Sequence, residues 1–318
     1  LSQGNLDGKH DGMVQVAYLH PEEVSHSWVE SMRRMWAFDR ELPGGPRIAA
    51  EPLNMRCTVG MISHVRNYAT RLFLDKTDHE WLLFIDTDMG FERDAVHRLL
   101  EVAHPQDRPV VGALCFALME AQYDGMGGHR FTIVPTMYQL GIEQTTGKAS
   151  FCFYGDYPTD TVVQLGATGA AFLLIHRDLL VELRVRYGDH WWDQMYSEIG
   201  DLVGEDIGFC ARVLAHGATV HVHTGVQTSH HKRMWLTEVD YARQLGPQQG
   251  PDDANSIEMR RLQAVNAHLT ARLAQAMQRE MPTCEACGQQ YPAVDQVPGS
   301  QRCPSCRHDE MIEPEVAR

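Results

Sequence analysis

Trp81-Leu82-Leu83-Phe84-Ile85-Asp86-Thr87-Asp88-Met89-Gly90 decides how this chain is read. Five apolar residues in succession predict a strand buried on both faces, as in a parallel α/β sheet. The strand stops abruptly at two carboxylates one residue apart, where open α/β sheets collect their ligands. Residues two apart in an extended chain point to the same side, so Asp86 and Asp88 face one pocket together. Two carboxylates held that close repel, and a hydrated divalent cation bridging to phosphate oxygens is their natural partner. An Asp-Thr-Asp also makes an ordinary turn with Asp capping the next helix. Phosphatases of the haloacid dehalogenase type use the same tripeptide with Thr or Val two residues on, where this chain has Gly90. Topoisomerase-primase nucleases need a matching Glu strand upstream, and none is evident.

Upstream of the motif the pattern is βαβα. Met13 to Leu19 predicts a first strand, and Trp28, Met32, Met35 and Trp36 recur at helical spacing as a core stripe. Pro43-Gly44-Gly45-Pro46 ends that helix, and Arg47 to Glu51 predicts a second strand. A helix over 61–74 buries Ile62, Val65, Ala69, Leu72 and Phe73, with Arg66 and Asn67 near its middle. Those two are either a solvated face or, for Arg66, a guanidinium against a nucleotide diphosphate.

Downstream, Asp94 to Val102 predicts a helix and Pro109 to Leu114 a buried strand. Ile133 to Leu140 and Phe151 to Tyr154 predict a hairpin. Val162 to Leu165 leads into Gly166-Ala167-Thr168-Gly169, whose small residues let a ligand or another backbone come close. An apolar run over 171–175 and a helix over 178–187 follow. Gly188 to Val203 reads as an aromatic-rich loop that covers a site or packs as a satellite cluster. Gly204-Glu205-Asp206 opens a helix, with two acids favoured in its first turn by the macrodipole alone. Thr219 to His223 predicts the last strand, before Ser229-His230-His231-Lys232.

Size and charge bound the rest. The chain has 318 residues, enough for one large α/β domain plus an appendage. With 28 basic and 42 acidic residues, its net charge of −14 argues against a general basic field for nucleic acid or membrane. No segment has the uninterrupted apolar length that spans a bilayer. Residues 1–12 are polar and read as a flexible start.

The eight cysteines fall into two groups. Cys57, Cys115, Cys152 and Cys210 are scattered and read as reduced core residues, suiting a reducing cytoplasm. Cys284-x-x-Cys287 and Cys303-x-x-Cys306 are separated by fifteen residues. That spacing predicts a structural zinc ribbon over 282–318, with an iron–sulfur cluster or disulfides as alternatives. A helix over roughly 255–281, apolar at Leu262, Val265, Leu269 and Leu273, makes 241–281 a helical linker.

Taken together, residues 13–240 resemble a GT-A-fold glycosyltransferase of the family 2 type and its relatives in bacteriophages. Four blocks carry the resemblance, in the family's order. They are Arg66-Asn67, Phe84-Ile85-Asp86-Thr87-Asp88, Gly166-Ala167-Thr168-Gly169, and Gly204-Glu205-Asp206 followed by Ser229-His230. The resemblance implies a mixed, mostly parallel sheet flanked by helices. It also implies Mn²⁺ or Mg²⁺ on Asp88, with Asp86 at the ribose or reaching the metal through water. His230, with His231 as the neighbouring candidate, completes the metal site. Arg66, Asn67 and Thr87 join the nucleotide-sugar site, with a UDP-sugar as the expected donor, and Gly169 joins the acceptor side. Asp206 sits where inverting members keep the general base, with Glu205 beside it, although retaining enzymes share the fold. The ribbon, and Trp191, Trp192 and Trp235 as platforms for a flipped base, point to a 5-hydroxymethylpyrimidine in viral DNA as acceptor. A virion protein, a glycan or lipid-linked acceptor, a non-catalytic ribbon-bearing binding module and a phosphatase are the competing expectations.

Overall fold

A computed structural model describes residues 12–58, 60–121, 130–142, 149–196, 202–232 and 285. The chain begins β1 (Val14–His20), α1 (His26–Glu41), β2 (Leu53–Arg56), α2 (Ile62–Lys76) and β3 (Trp81–Ile85). It continues through β4 (Met89–Phe91), α3 (Ala95–Val102), β5 (Val110–Leu114), β6 (Phe116–Ala121), β7 (Arg130–Pro135), β8 (Met137–Ile142) and β9 (Ala149–Phe153). Then come β10 (Val162–Leu165), β11 (Ala167–Thr168), β12 (Phe172–His176) and α4 (Arg177–Tyr187). The last elements are β13 (Met195–Tyr196), β14 (Leu202–Val203), α5 (Glu205–His216) and β15 (Val220–His230).

The fold is mixed α/β, with a central sheet in the order β10-β15-β5-β12-β3-β1-β2 and β4 joined to β15. β2, β1 and β3 run parallel, as do β5 and β15, while β12 runs antiparallel between β3 and β5. All five residues of β3 are buried. Alternation explains why: Leu82 and Phe84 join the apolar layer that contains Val65, Ala69 and Phe73 of α2 and Leu180 of α4. Trp81, Leu83 and Ile85 join the opposite layer, with Trp28, Met32 and Met35 of α1 and Val96 and Leu99 of α3. A strand covered on both faces has no place for a polar residue until it leaves the sheet. No helix among the described residues is long and apolar enough to cross a membrane.

Three predicted segments differ from the structure. The stretch 47–51 makes only an isolated bridge, Val14 to Ile48, and strand pairing resumes at Leu53 beyond Pro52. Pro46 and Pro52 bracket it and remove amide donors from both ends. Asp39 holds the short bridge in place: its buried carboxylate accepts from the amides of Arg47 (2.9 Å) and Ile48 (3.1 Å) and bonds the His97 ring (3.0 Å). The run 133–140 divides at Thr136 between two hairpins, β6-β7 and β8-β9, instead of forming one. The last strand runs on to His230 because β15 shifts register between His223 and Gln227, leaves β5 and pairs with β4. The helical linker, the paired CxxC segments and Trp235 lie outside the described residues.

Replacing Asp39 with Ala strips the acceptor from two backbone donors around a buried bridge. Urea unfolding should show a loss of about 2–4 kcal/mol. A loss below about 0.5 kcal/mol, within the range of ordinary surface substitutions, would show that the carboxylate is not what holds residues 47–49.

Candidate active site

The site is built where β3 gives out. Asp86 donates its amide to the carbonyl of Ala171 (2.8 Å), and the Met89 amide turns back onto the carbonyl of Asp86 (3.2 Å). This tight turn displays Asp86 and Asp88 at the sheet's carboxyl end and feeds directly into β4. Gly90 is needed there, because a Cβ would lie 2.5 Å from Ser229 Oγ and 3.2 Å from Ser27 Cβ. Its absence lets β15 and α1 close on the turn together.

Arg66, in the middle of α2, is 2% exposed. Its Nη2 donates to Asp86 Oδ1 (3.0 Å) and its Nη1 to Glu205 Oε1 (3.1 Å). One guanidinium therefore ties the end of β3 to the start of α5. Beneath it lie the faces of Phe84 and Trp192, at 5.7 and 5.3 Å from its carbon to the ring centres. Trp192 stacks on Phe209 (4.2 Å between ring centres) and donates its indole N–H to Thr70 Oγ1 (2.9 Å). Burial pushes the Glu205 carboxyl above the usual range; the Asp206 charge adds to this, and Arg66 opposes it. Asp206 is also raised, again by burial, with Arg66 and the Ile207 amide opposing. Its Oδ1 accepts from that amide at 2.8 Å. Tyr138 is pushed up to about 12 by burial, with the Asp206 charge adding to the effect. Asp206 therefore sits in a sparsely solvated corner, conditions that favour a base over a permanently ionised carboxylate.

Asp88 lies within reach of the far end of the fold. His230 is opposite Met89 in the β15-β4 ladder, and its Nε2 is 3.0 Å from Asp88 Oδ2. The same oxygen accepts from Lys232 Nζ at 2.8 Å. Burial works to raise the Asp88 carboxyl, but His230 and Lys232 outweigh it and hold it at about 2. Burial works to lower His230, and Asp88 raises it. The other ring nitrogen, Nδ1, is 2.6 Å from the Phe116 carbonyl, which can only accept, so Nδ1 carries a proton. That bond fixes the tautomer: without a second proton, Nε2 turns a lone pair toward Asp88. A carboxylate and an oriented imidazole nitrogen on one point suit Mn²⁺ or Mg²⁺, provided phosphate and water supply the remaining ligands. Among the described residues no group of three or more His, Cys, Asp or Glu forms a complete cage. His231 donates its amide to the Asp88 carbonyl (2.8 Å), and only His230 places its ring on the Asp88 carboxylate.

A cleft of about 470 Å³ opens beside this group, walled by Leu19, Pro21, Ser25, Cys57 and the Asp86-Thr87-Asp88 turn. Thr87 is buried and donates its hydroxyl to the Leu19 carbonyl (3.3 Å), so it braces the wall. The cleft is large enough for a nucleoside-sized ligand.

Several expected contacts are placed differently. Arg66, expected against a nucleotide diphosphate, is 2% exposed and places its terminal nitrogens on Asp86 and Glu205. Asn67 holds the loop after α4: its Nδ2 donates to Asp193 Oδ1 (2.6 Å) and its Oδ1 accepts from the Trp192 amide (2.8 Å). Trp191 and Trp192 have no exposed surface and so offer no platform to an acceptor. Trp191 instead donates its indole N–H to the Leu180 carbonyl (2.9 Å). Gly169 serves backbone approach, its absent Cβ leaving 3.1 Å to Thr136. Lys232 was not singled out from sequence, although it stands two residues beyond His230, the spacing that puts both on one side of an extended chain.

No protein-family model and no curated protein matches the sequence. Among solved structures, the chain is similar to A197 from STIV, at 14% identity and a TM-score of 0.38 over 69% of this chain and 86% of that one. It is also similar to GalNAc-T7 with UDP, GalNAc and Mn²⁺, at 10% identity and a TM-score of 0.44 over 70% of this chain. It spans 43% of that second protein's length.

Arg66→Gln removes the charge that offsets ionised Glu205 and Asp206. A buried pair broken on one side should lower stability by about 3–5 kcal/mol near neutral pH. Both carboxyls already sit above their unfolded values, and the substitution raises them further, so protonation relieves the variant as pH falls. Urea unfolding should show a deficit against the parent that is larger at pH 7 than at pH 4. An equal deficit at both pH values would contradict the electrostatic role.

Proposed function

We propose that this chain is a metal-dependent glycosyltransferase of the GT-A type that moves a sugar from a nucleoside diphosphate to a hydroxyl acceptor. The observation that carries the reading is the meeting of Asp88 and His230, 142 positions apart, beside a nucleoside-sized cleft at the carboxyl end of the sheet. A bound divalent cation would neutralise the charge that develops on the departing diphosphate. Asp88 and His230 would hold it, and the Phe116 carbonyl keeps the imidazole in the binding tautomer. Lys232, already on Asp88 Oδ2, is placed to meet a phosphate oxygen as a second positive charge. The wall of Leu19, Pro21 and Ser25 would take the nucleoside, with uridine as the expected base.

Asp206 is proposed as the general base that takes the proton from the acceptor hydroxyl as the new bond forms, giving inversion at the anomeric carbon. Glu205 serves as a positioning residue, because its Arg66 bond fixes where α5 begins. A phosphatase that attacked phosphorus with Asp86 would need that carboxylate free, and its bond to the buried Arg66 disfavours that route.

For the acceptor, the reading retained is a 5-hydroxymethylpyrimidine in viral DNA. Its support is reduced to the paired CxxC segments, because Trp191 and Trp192 are buried.

Incubation with labelled UDP-sugars, Mn²⁺ and hydroxymethylated DNA should transfer label to the DNA, and chelation should abolish the transfer. Asp88→Ala and His230→Ala should each lower turnover of the donor by about 100-fold or more. Turnover unchanged in Asp88→Ala would overturn the transferase reading. Loss of label from DNA alone, with the donor still hydrolysed, would overturn only the acceptor.

The pH profile of kcat/KM should have its acid limb above the ordinary Asp range near 4, because Asp206 is raised and must be ionised to act. Asp206→Asn should remove that limb along with transfer. A limb that persists in the variant would point to another base.

A further inference from the structure

We propose that a second cleft, on the outer side of α2, binds a phosphate group carried by the acceptor, with Arg71 and His190 as its main contacts. The word "acceptor" rests on the transferase reading; the phosphate site does not. This cleft has a volume of about 640 Å³ and shares Gly60 with the nucleoside-sized cleft, so one wall divides the two. Ser63, His64, Tyr68, Arg71, His190 and Asp193 line it. Adjacent residues of α2 thus serve different sides: Arg66 anchors Asp86 and Glu205, and Asn67 anchors Asp193, which lines the second cleft.

The charge balance of this cleft favours an anion. Both of its acids already have cationic or amide partners. Asp189 pairs with Arg184 Nε (2.7 Å), while Asp193 bonds His190 Nδ1 (2.8 Å) and Asn67 Nδ2 (2.6 Å). Asp193 also raises the His190 imidazole, with burial opposing, which favours its cationic form. Arg71 is exposed and rests over the ring of Tyr68, 5.0 Å from its centre, and Tyr68 is itself 39% exposed. The Arg71 charge also acts on Asp75, four residues along α2, and helps to lower that carboxyl after the larger effect of Arg184. A guanidinium resting on an aromatic ring, in one cleft with a histidine held by a carboxylate and with Ser63, matches the oxygens of a phosphate. The site is local, since the chain as a whole carries −14 and would repel a polyanion elsewhere.

The same phosphate chemistry is offered by a nucleic-acid backbone and by a small sugar or glycerol phosphate. The full chain is titrated with inorganic phosphate, with glycerol phosphate and with a 5′-phosphorylated oligothymidylate, while the histidine ring signals are followed by NMR. The expected result is a saturable shift of the His190 signals, weakened about tenfold or more in Arg71→Ala, the loss of one charge-assisted bond. Arg71→Lys should retain part of the affinity, and Asp88→Ala, which disables the other cleft, should retain all of it. Tighter binding of the oligonucleotide or of glycerol phosphate supports the site equally and identifies the source of the phosphate. No saturable shift, a shift that Arg71→Ala leaves intact, or one lost in Asp88→Ala overturns the proposal. Because no donor is present, these outcomes are independent of whether the chain transfers sugar.

Discussion

A single buried guanidinium joins the segments that make up the candidate active site. Arg66 lies between Asp86 at the end of β3 and Glu205 at the start of α5, over a floor of Phe84 and Trp192. A charge this buried is tolerable only when its terminal nitrogens are matched by carboxylates. Among the described residues its Nε has no hydrogen-bond partner, so those two carboxylates and the aromatic faces beneath carry the compensation. The consequence is geometric: α5 cannot drift from the sheet without stranding Arg66, so Asp206, next to Glu205, stays at the head of that helix. The aromatic loop that follows α4 belongs to this same support. Trp192 is wedged under the guanidinium and locked by Thr70, and Asn67 pins the turn that follows.

The second organising feature is the bend of β15. Had the strand stayed on β5, His230 would have continued along that edge. The register shift after His223 instead carries the strand to β4, which itself begins one residue after Asp88. The backbone seals the arrangement, since the His231 amide bonds the Asp88 carbonyl. The two halves of the candidate metal site are therefore positioned by strand pairing, a more rigid device than a pair of loops. The two constraints divide the work. Arg66 holds Asp86 and Glu205 together at the head of α5, and the β15-β4 ladder holds His230 against Asp88.

Much of this was legible in the sequence because burial and periodicity are local signals. The run Trp81 to Ile85 reads as a doubly covered strand, and the stripe Trp28, Met32, Met35 reads as core; the structure places each in the apolar layers around the sheet. What could not be read locally is partnership across long separations. Arg66 and Asn67 in mid-helix mark an anomaly, but nothing in their neighbours says that one meets Glu205 and the other Asp193. Aromatics in a predicted loop suggest exposure, yet Trp191 and Trp192 are drawn inward because their indole N–H groups find the Leu180 carbonyl and the Thr70 hydroxyl. The extension of β15 was hidden because a register shift interrupts the alternation that marks a strand. The stretch 47–51 misled in the opposite sense, reading as a strand where only the Val14–Ile48 bridge forms between the flanking prolines.

The central claim is that Asp88 and His230 together hold a divalent cation for a nucleoside diphosphate. Adding Mn²⁺ with UDP to the full chain and following paramagnetic broadening of the His230 ring signals tests this most directly. The expected result is stoichiometric Mn²⁺ binding that depends on UDP, broadens those signals selectively and disappears in Asp88→Ala. Mn²⁺ binding that leaves the His230 ring untouched, or that survives loss of the Asp88 carboxylate, would contradict it.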